Sequence, residues 1–338
     1  MNPCDETGPL LSPFTCEVTK DLIGGRWCRL RAEFDGVSRT VKLTVDGRLV
    51  KKLAYTGENP APLSYLHLQT LAEDTDAEGT YFRSFDMKAG RSLFNGENLT
   101  GWYTYLQNRG RNADPKGVFS VTNGVIHVTG EEFGALVSDE EFSNYHLSLE
   151  YRFLGGKQQS WKAVCAPDSG ILFHSTGLDG RFEGIWMESI EVNLIKGATG
   201  DFWGVGAKGS DAIALSAKVG KELLEGKYRI LDPTSEEIYT ITGNTRVRRF
   251  DISRDWRDRI DVPVAVNEKP IGEWNKVNLY CVGDEVLVSV NGKHVNRGFG
   301  VKPTRGRLQL QSEGCAIEFR NIYITPQTIL PSATRRAR

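Results

Sequence analysis

The stretch WMESIEVNLIKGATGDFW, Trp186 to Trp203, alternates through its first half. Ser189, Glu191 and Asn193 fall on one side of an extended chain, and Ile190, Val192 and Leu194 on the other. Successive side chains of a strand point to opposite faces, so the segment buries an aliphatic row and presents a carboxylate and an amide together. The glycines and Asp201-Phe202-Trp203 that follow read as a loop carrying aromatic surface. Aromatic faces pack on the apolar faces of sugar rings, while carboxylates and amides take the hydroxyls, so this pattern suits a sugar-binding groove. A solvated strand face alternates in the same way, and one strand alone does not separate the two readings.

Working outward, strand signals recur along the chain. HLSLEYRF sets Leu147, Leu149, Tyr151 and Phe153 against Ser148, Glu150 and Arg152, and DSGILFH sets Ile171 and Phe173 against Leu172 and His174. RLQLQ and AIEFRNIYI repeat the pattern near the C-terminus. Asp46-Gly47, Asn123-Gly124 and Asn291-Gly292 each lie between strand-like runs, and such dipeptides supply the positive φ of two-residue hairpin turns. Helical periodicity is weak, with AIALSAKVGKELLEGK as the best short candidate. The chain reads as all-β.

Composition narrows the function classes. The 338 residues suffice for one large sandwich or two domains. Lys plus Arg number 42 and Asp plus Glu 43, for a net charge of -1, so no global field draws the chain to nucleic acid or an anionic membrane. No apolar stretch approaches the roughly 18 residues of a membrane span. The six cysteines form no CxxC pair, which excludes zinc-type spacing. Cys4, Cys16 and Cys28 are close enough in sequence for a local disulfide, whereas Cys281 and Cys315 sit in strand-like runs and read as buried free thiols. The start, MNPCDETGPLLSPF, lacks the basic flank and apolar core of a secretory signal. The protein therefore stays inside, or its true start lies upstream of Met1.

The sequence also echoes itself. Residues 27–86 and 274–324 share four anchors in the same order: Trp27 with Trp274, Asp46-Gly47 with Asn291-Gly292, Leu68-Gln69 with Leu310-Gln311, and Phe82-Arg83 with Phe319-Arg320. Only 26 residues precede the first copy, while about 180 residues of further β material precede the second. Residues 1–90 thus read as a partial β-sandwich resembling the back half of a main domain at 91–326, with a basic tail at 327–338. A half-sandwich has unpaired edges, and something must complete it.

If the main-domain strands share one sheet, its polar face gathers Glu150, Arg152, His174, Glu191, Asn193 and Gln311. The competing reading is a solvated face with cross-strand ion pairs, such as Glu150 with a neighbouring Arg. His174 has the chemistry of a base or acid near neutral pH. Arg152 can fork onto a carbonyl or a hydroxyl pair. Glu191 is the strongest candidate, because tryptophans and a glycine-rich loop bracket its strand, and Asp201 is placed to shape that loop or reach a hydroxyl. His67, His127, His146 and His294 have no metal-ligand spacing. No Ser-His-Asp motif, phosphate loop or dinucleotide fingerprint occurs.

At these residues the chain resembles the 3-keto-disaccharide hydrolase domain family. The resemblance rests on LFNGENLTGW (Leu93 to Trp102), NGVIHV, HLSLEYRF, DSGILFH, SIEVNLIKGATGDFW and the closing LQLQSEG and IEFRNIYI, and covers about residues 91–326. It implies a concanavalin-like jelly-roll β-sandwich with a sugar site on its concave face, a small carbohydrate substrate, a periplasmic or extracellular location, and cleavage of glycosides oxidised at C3. A C3 ketone acidifies the C2 proton and sets the glycosidic oxygen on C1 for elimination, with hydration afterwards where the outcome is hydrolysis. In that scheme Glu191 is the base and His174 the acid or second base. Arg152 and Asn193 contact the keto-enolate or hydroxyls, Trp186 and Trp203 form a stacking wall, and Glu150, Asp201 and Gln311 complete substrate binding. No metal ligand set or cofactor motif is identified, though carboxylates of this kind are compatible with a divalent metal. The chain departs from the family where Asp168 stands for the usual Asn, Asn193 for Gln, and Lys196 for an acidic residue. Lys196 in particular bears on substrate charge and on whether activity persists. Two rival readings remain: a non-catalytic carbohydrate-binding module on the same fold, and a two-carboxylate glycosidase in which Glu150 would partner Glu191.

Overall fold

The computed structural model describes residues 30–35, 40–46, 48–54, 90–155, 158–159, 164–224, 228–249 and 267–331. Every regular element among them is a β-strand. The chain divides into two compact units, Met1–Asp86 with Thr334–Arg338, and Met87–Ala333.

The first unit contains β1 (Leu30–Asp35), β2 (Thr40–Val45) and β3 (Arg48–Ala54), a three-stranded antiparallel meander. The second unit begins with β4 (Arg91–Ser92), β5 (Trp102–Leu106), β6 (Gly110–Arg111), β7 (Phe119–Thr122), β8 (Val125–Val128), β9 (Gly134–Phe142) and β10 (Tyr145–Phe153). The short pair β11 (Gln158–Gln159) and β12 (Val164–Cys165) follows. Next come β13 (Gly170–Thr176), β14 (Glu188–Asn193), β15 (Phe202–Val205), β16 (Ala214–Leu224), β17 (Tyr228–Leu231), β18 (Ile238–Ile241) and β19 (Arg246–Arg248). The unit closes with β20 (Asn275–Val282), β21 (Glu285–Val290), β22 (Lys293–Lys302), β23 (Gly306–Ser312) and β24 (Ile317–Pro326).

These strands form the two layers of a β-sandwich. One layer runs β5-β9-β23-β13-β14-β15-β19, each neighbour antiparallel. The other runs β7-β8-β24-β10-β20-β21-β22. The aliphatic rows read from sequence meet between the layers. Ile171, Phe173, Ile190 and Val192 from the first pack in one core with Leu147, Leu149, Val277, Leu279 and Phe319 from the second. Burying such a continuous apolar seam, at about 25 cal/mol per Å², is the dominant favourable term for a sheet pair. Asn123-Gly124 and Asn291-Gly292 take positive φ at both positions, as their hairpins require. Cys281 and Cys315 are buried free thiols, and burial lifts the Cys281 pKa to about 12. The three N-terminal cysteines lie outside the described residues.

One expectation fails. The segment around residue 220 read as helical is strand β16. Its apolar residues fit period 2 better than 3.6, since Ile213, Leu215, Ala217 and Val219 are all buried while Ser216, Lys218 and Gly220 are half-buried.

The two meanders share their register. Leu30 pairs with Val45 as Val277 pairs with Val290. Both hairpins then carry a bulge at the same place, between Leu43 and Thr44 and between Val288 and Ser289. Asp46 and Asn291 have φ of 49° and 48°. The anchors Trp27, Leu68-Gln69 and Phe82-Arg83 lie outside the described residues, as does most of the proposed partial sandwich.

Candidate functional site

The core-averted face of the first layer is polar along its middle strands, and its two glutamines differ. Gln309 donates to Ser175 Oγ at 2.8 Å and to Ser189 Oγ at 3.2 Å, so this part of the face satisfies itself. Two residues on, Gln311 is fully buried, yet neither its Oε1 nor its Nε2 has a hydrogen-bond partner. Glu191 is equally buried, with both carboxyl oxygens unpartnered. Buried polar groups are nearly always satisfied, because desolvation without a hydrogen bond costs about 1–3 kcal/mol each. Two such groups side by side leave an acceptor pair and an amide available to hydrogen-bond a ligand.

Gly170 makes that pair. It lies on β13 between Asn193 of β14 and the Gln311 end of β23, and a methyl group there would overlap both Gln311 Oε1 and the Glu191 carboxyl. The two side chains therefore close over bare backbone. Around them stand three more carboxyl groups, those of the buried Asp201 and Glu313 and of the half-buried Asp168. Asp168 Oδ1 and Asp201 Oδ2 are unpartnered, and Glu313 follows β23 directly. Burial, and next the charge of Asp168, push the Glu191 pKa well above the usual carboxylate range, with Arg246 opposing. Burial does the same to Glu313, reinforced by Asp168 and Glu191. It lifts Asp168 to about 6 and raises Asp201. Carboxyl groups raised in this way keep their protons to higher pH than free ones and ionise into stronger bases.

Register fixes the flank. Glu191 pairs with Trp203 on β15, and Trp203 pairs with Arg246 on β19, giving a cross-strand row of carboxyl, indole and guanidinium. The Arg246 guanidinium carbon lies 4.6 Å over the Trp203 ring. Beyond β14, the turn from Ile195 to Asp201 is nailed in place. Asn193 Oδ1 accepts from Ile195 N at 2.7 Å, leaving its buried Nδ2 unpartnered. Glu268 accepts from Gly197 N and Thr199 N, Tyr151 OH meets Thr199 Oγ1 at 2.8 Å, and Arg249 N donates to Asp201 Oδ1 at 2.8 Å.

Four expectations need correction. Glu150 and Arg152 do not share a face with Glu191. Their strand belongs to the opposite layer, where Glu150 pairs with Arg320 at 2.8 Å and Arg152 with the buried Glu318 at 2.5 Å. Alternation was read correctly there, but sheet membership is a tertiary property. Trp186 is no exposed stacking wall. It is 2% exposed, packs with Phe182 and Ile185, and donates Nε1 to the Gly134 carbonyl. His174 leaves the face altogether. Its φ of 50° and the bulge after Phe173 turn its ring against Tyr145, with Nδ1 donating to the Pro303 carbonyl at 2.8 Å. Burial lowers its pKa to about 4, so it is neutral at pH 7. Lys196 is engaged elsewhere, with Nζ 3.5 Å from Glu268 and donating to the Lys269 carbonyl at 3.1 Å.

The structure does bring together Glu191, Asn193, Asp201, Trp203 and Gln311. It adds Asp168, Glu313 and Arg246, which the sequence reading did not place in the site. Glu313 had a signal, since the parity of Gln309 and Gln311 continues to it in RLQLQSEG. Arg246 had only its alternation around Val247. Among the described residues no three His, Cys, Asp or Glu converge as metal ligands, and no helix is long and apolar enough to cross a membrane.

Residues 89–325 match the model of the 3-keto-alpha-glucoside-1,2-lyase-like domain. The chain belongs to that family. Membership makes it a carbohydrate-active protein with a sugar as its substrate class. A comparison with curated proteins finds no match. Among solved structures, a candidate glycosyl hydrolase from Parabacteroides distasonis is similar at 20% identity and TM-score 0.40, covering 70% of this chain and 93% of that one. The carbohydrate-binding module CBM66 of Bacillus subtilis (9% identity, TM-score 0.33, 67% and 96% covered) and the Bacillus licheniformis beta-glucanase (9%, 0.33, 73% and 100%) are also similar.

Proposed function

We propose that this member of the 3-keto-alpha-glucoside-1,2-lyase-like family cleaves the glycosidic bond of sugars carrying a ketone at C3. The observation that carries this reading is the unpartnered Glu191 carboxyl lying beside the unpartnered Gln311 amide over Gly170. Ionised Glu191 takes the C2 proton, whose acidity the neighbouring ketone supplies. The C–H electron pair forms C2=C3 and the carbonyl pair moves onto O3. Collapse of the enolate forms C1=C2 and breaks the C1–O bond, and the aglycone oxygen leaves with a proton. His174, neutral and turned into the interior, cannot supply that proton. The buried carboxylic acid Glu313, held protonated by burial and by the charges of Asp168 and Glu191, is suited to it. Water then adds across C1=C2 where the outcome is hydrolysis. Gln311 Nε2 and Asn193 Nδ2 donate to sugar oxygens, Asp201 Oδ2 accepts from a hydroxyl, and Trp203 borders the ring.

The test is turnover of chemically prepared 3-keto-glucosides and 3-keto-disaccharides by the native protein and by Glu191→Gln. The reading expects kcat to fall at least a thousandfold in the variant with the dissociation constant little changed, and a primary isotope effect with C2-deuterated substrate. A native protein that binds these sugars and leaves them intact would be a carbohydrate-binding module instead.

A further inference from the structure

We propose that Arg246 is the group that holds the C3 oxygen of the substrate as negative charge develops on it. The inference rests on the reaction proposed above. Moving the C2 electron pair onto O3 creates an anion among Asp168, Glu191, Asp201 and Glu313, a neighbourhood that disfavours it unless a cation is aimed at the spot. Arg152, the guanidinium expected from sequence, is committed to Glu318 on the opposite layer.

Arg246 satisfies the requirement on three counts. It stands in the same cross-strand row as Glu191, two strands away, with Trp203 between them. Two strand spacings are about 10 Å, so the two side chains can lean toward each other across about one sugar ring. Its charge reaches the whole cluster, opposing the upward shift at Glu191, Asp168, Asp201 and Glu313 alike. Its donors are also uncommitted among the described residues. Among the described residues its contact is the face of Trp203, whereas Arg249 is engaged with Thr199 and Arg320 with Glu150. A guanidinium parked on an indole keeps its N–H fork in the ring plane, ready to accept an oxyanion without first breaking an ion pair. When Glu191 removes the C2 proton, the C2–H pair becomes C2=C3 and the carbonyl π pair becomes the lone pair on O3 that Arg246 receives. No electron leaves the system, and no co-reactant is needed.

The experiment uses the full chain with a 3-keto-glucoside, and free 3-keto-glucose in D2O to read C2 exchange without bond cleavage. Removing one oxyanion donor typically costs a hundredfold to a thousandfold in kcat. Arg246→Met is expected to lose about that much in kcat and in C2 exchange, with KM changed less than fivefold. Arg246→Lys should recover part of the loss, and millimolar methylguanidine should rescue Arg246→Ala. Should Arg246→Met fail to fold, the folded Lys variant still decides the matter. Native turnover with exchange within threefold of native in the variants overturns the role of Arg246 and leaves the reaction standing. Absence of native turnover overturns the reaction, and this role with it.

Discussion

Glu191 and Gln311 reach toward one another from strands on either side of Gly170, and the missing side chain of that glycine is what lets them meet. Gly170 is not in the left-handed region, so its requirement is spatial alone. Gly170→Ala should therefore push the two groups apart, lowering kcat/KM on 3-keto-glucosides at least a hundredfold. Overpacking should cost about 1–3 kcal/mol in chemical denaturation. An active Gly170→Ala protein would mean that the pair does not act together.

Holding Glu191 dry works against stability. Its folded pKa is raised by burial, so its contribution to stability is complete below about pH 4.5 and is lost as pH rises through the folded pKa. Glu191→Gln should remove that loss. Thermal melts should show the variant a few degrees more stable than native at pH 8, with the gap closing toward pH 4. A gap that stays constant across pH would contradict the burial of an ionisable group.

His174 has the opposite sign. Its pKa is lowered from 6.5 to about 4, so the stability it carries is complete above pH 6.5 and drains as pH falls toward 4. The interval corresponds to about 3 kcal/mol. His174→Asn, which tolerates the positive φ, should flatten the acid side of the stability curve and leave turnover at pH 7.5 within tenfold of native. A thousandfold loss of turnover in that folded variant would restore His174 as an acid.

The buried pair Lys196–Glu268 can be taken apart by a double-mutant cycle. Both side chains are 2% exposed or less. Glu268→Gln strands a buried ammonium and should cost about 3–5 kcal/mol, while adding Lys196→Met should recover more than half of it. Additive losses in urea titrations would show that the two do not act as a pair.

On the opposite layer, Glu150→Ala and Arg152→Ala should leave kcat/KM within twofold of native, because their ion pairs with Arg320 and Glu318 stand on the layer that does not carry the carboxyl cluster. A tenfold loss from either would require a route from that face to the carboxyl cluster.

The alternation that reveals each strand is local. Ile190, Val192 and Leu194 declare a buried row without reference to any other segment, and Asn291-Gly292 declares its turn. For this reason the all-β class, the hairpins and the polar row of Glu191 and Asn193 were legible from the residues. The meanders β1 to β3 and β20 to β22 share a turn position and a bulge position, as similar turns feeding similar strands allow. Where two periods competed, as in β16, the buried partners decided for period 2.

Which polar rows share a sheet is not local. Glu150 and Glu191 stand on strands with the same pattern, and only pairing with β24 and β20 sends one to the far layer. A single φ of 50° at His174 takes an imidazole out of the row its parity assigns. Trp186 has the composition of a binding surface and the position of a core residue. The sequence by itself determined an all-β chain with a carboxylate-bearing strand, because hydrophobic alternation is a property of neighbours along the chain. Only the tertiary structure decided that Glu191 meets Gln311, Asp168, Glu313 and Arg246, because long-range register and burial, which no local pattern encodes, set which side chains share one dry space.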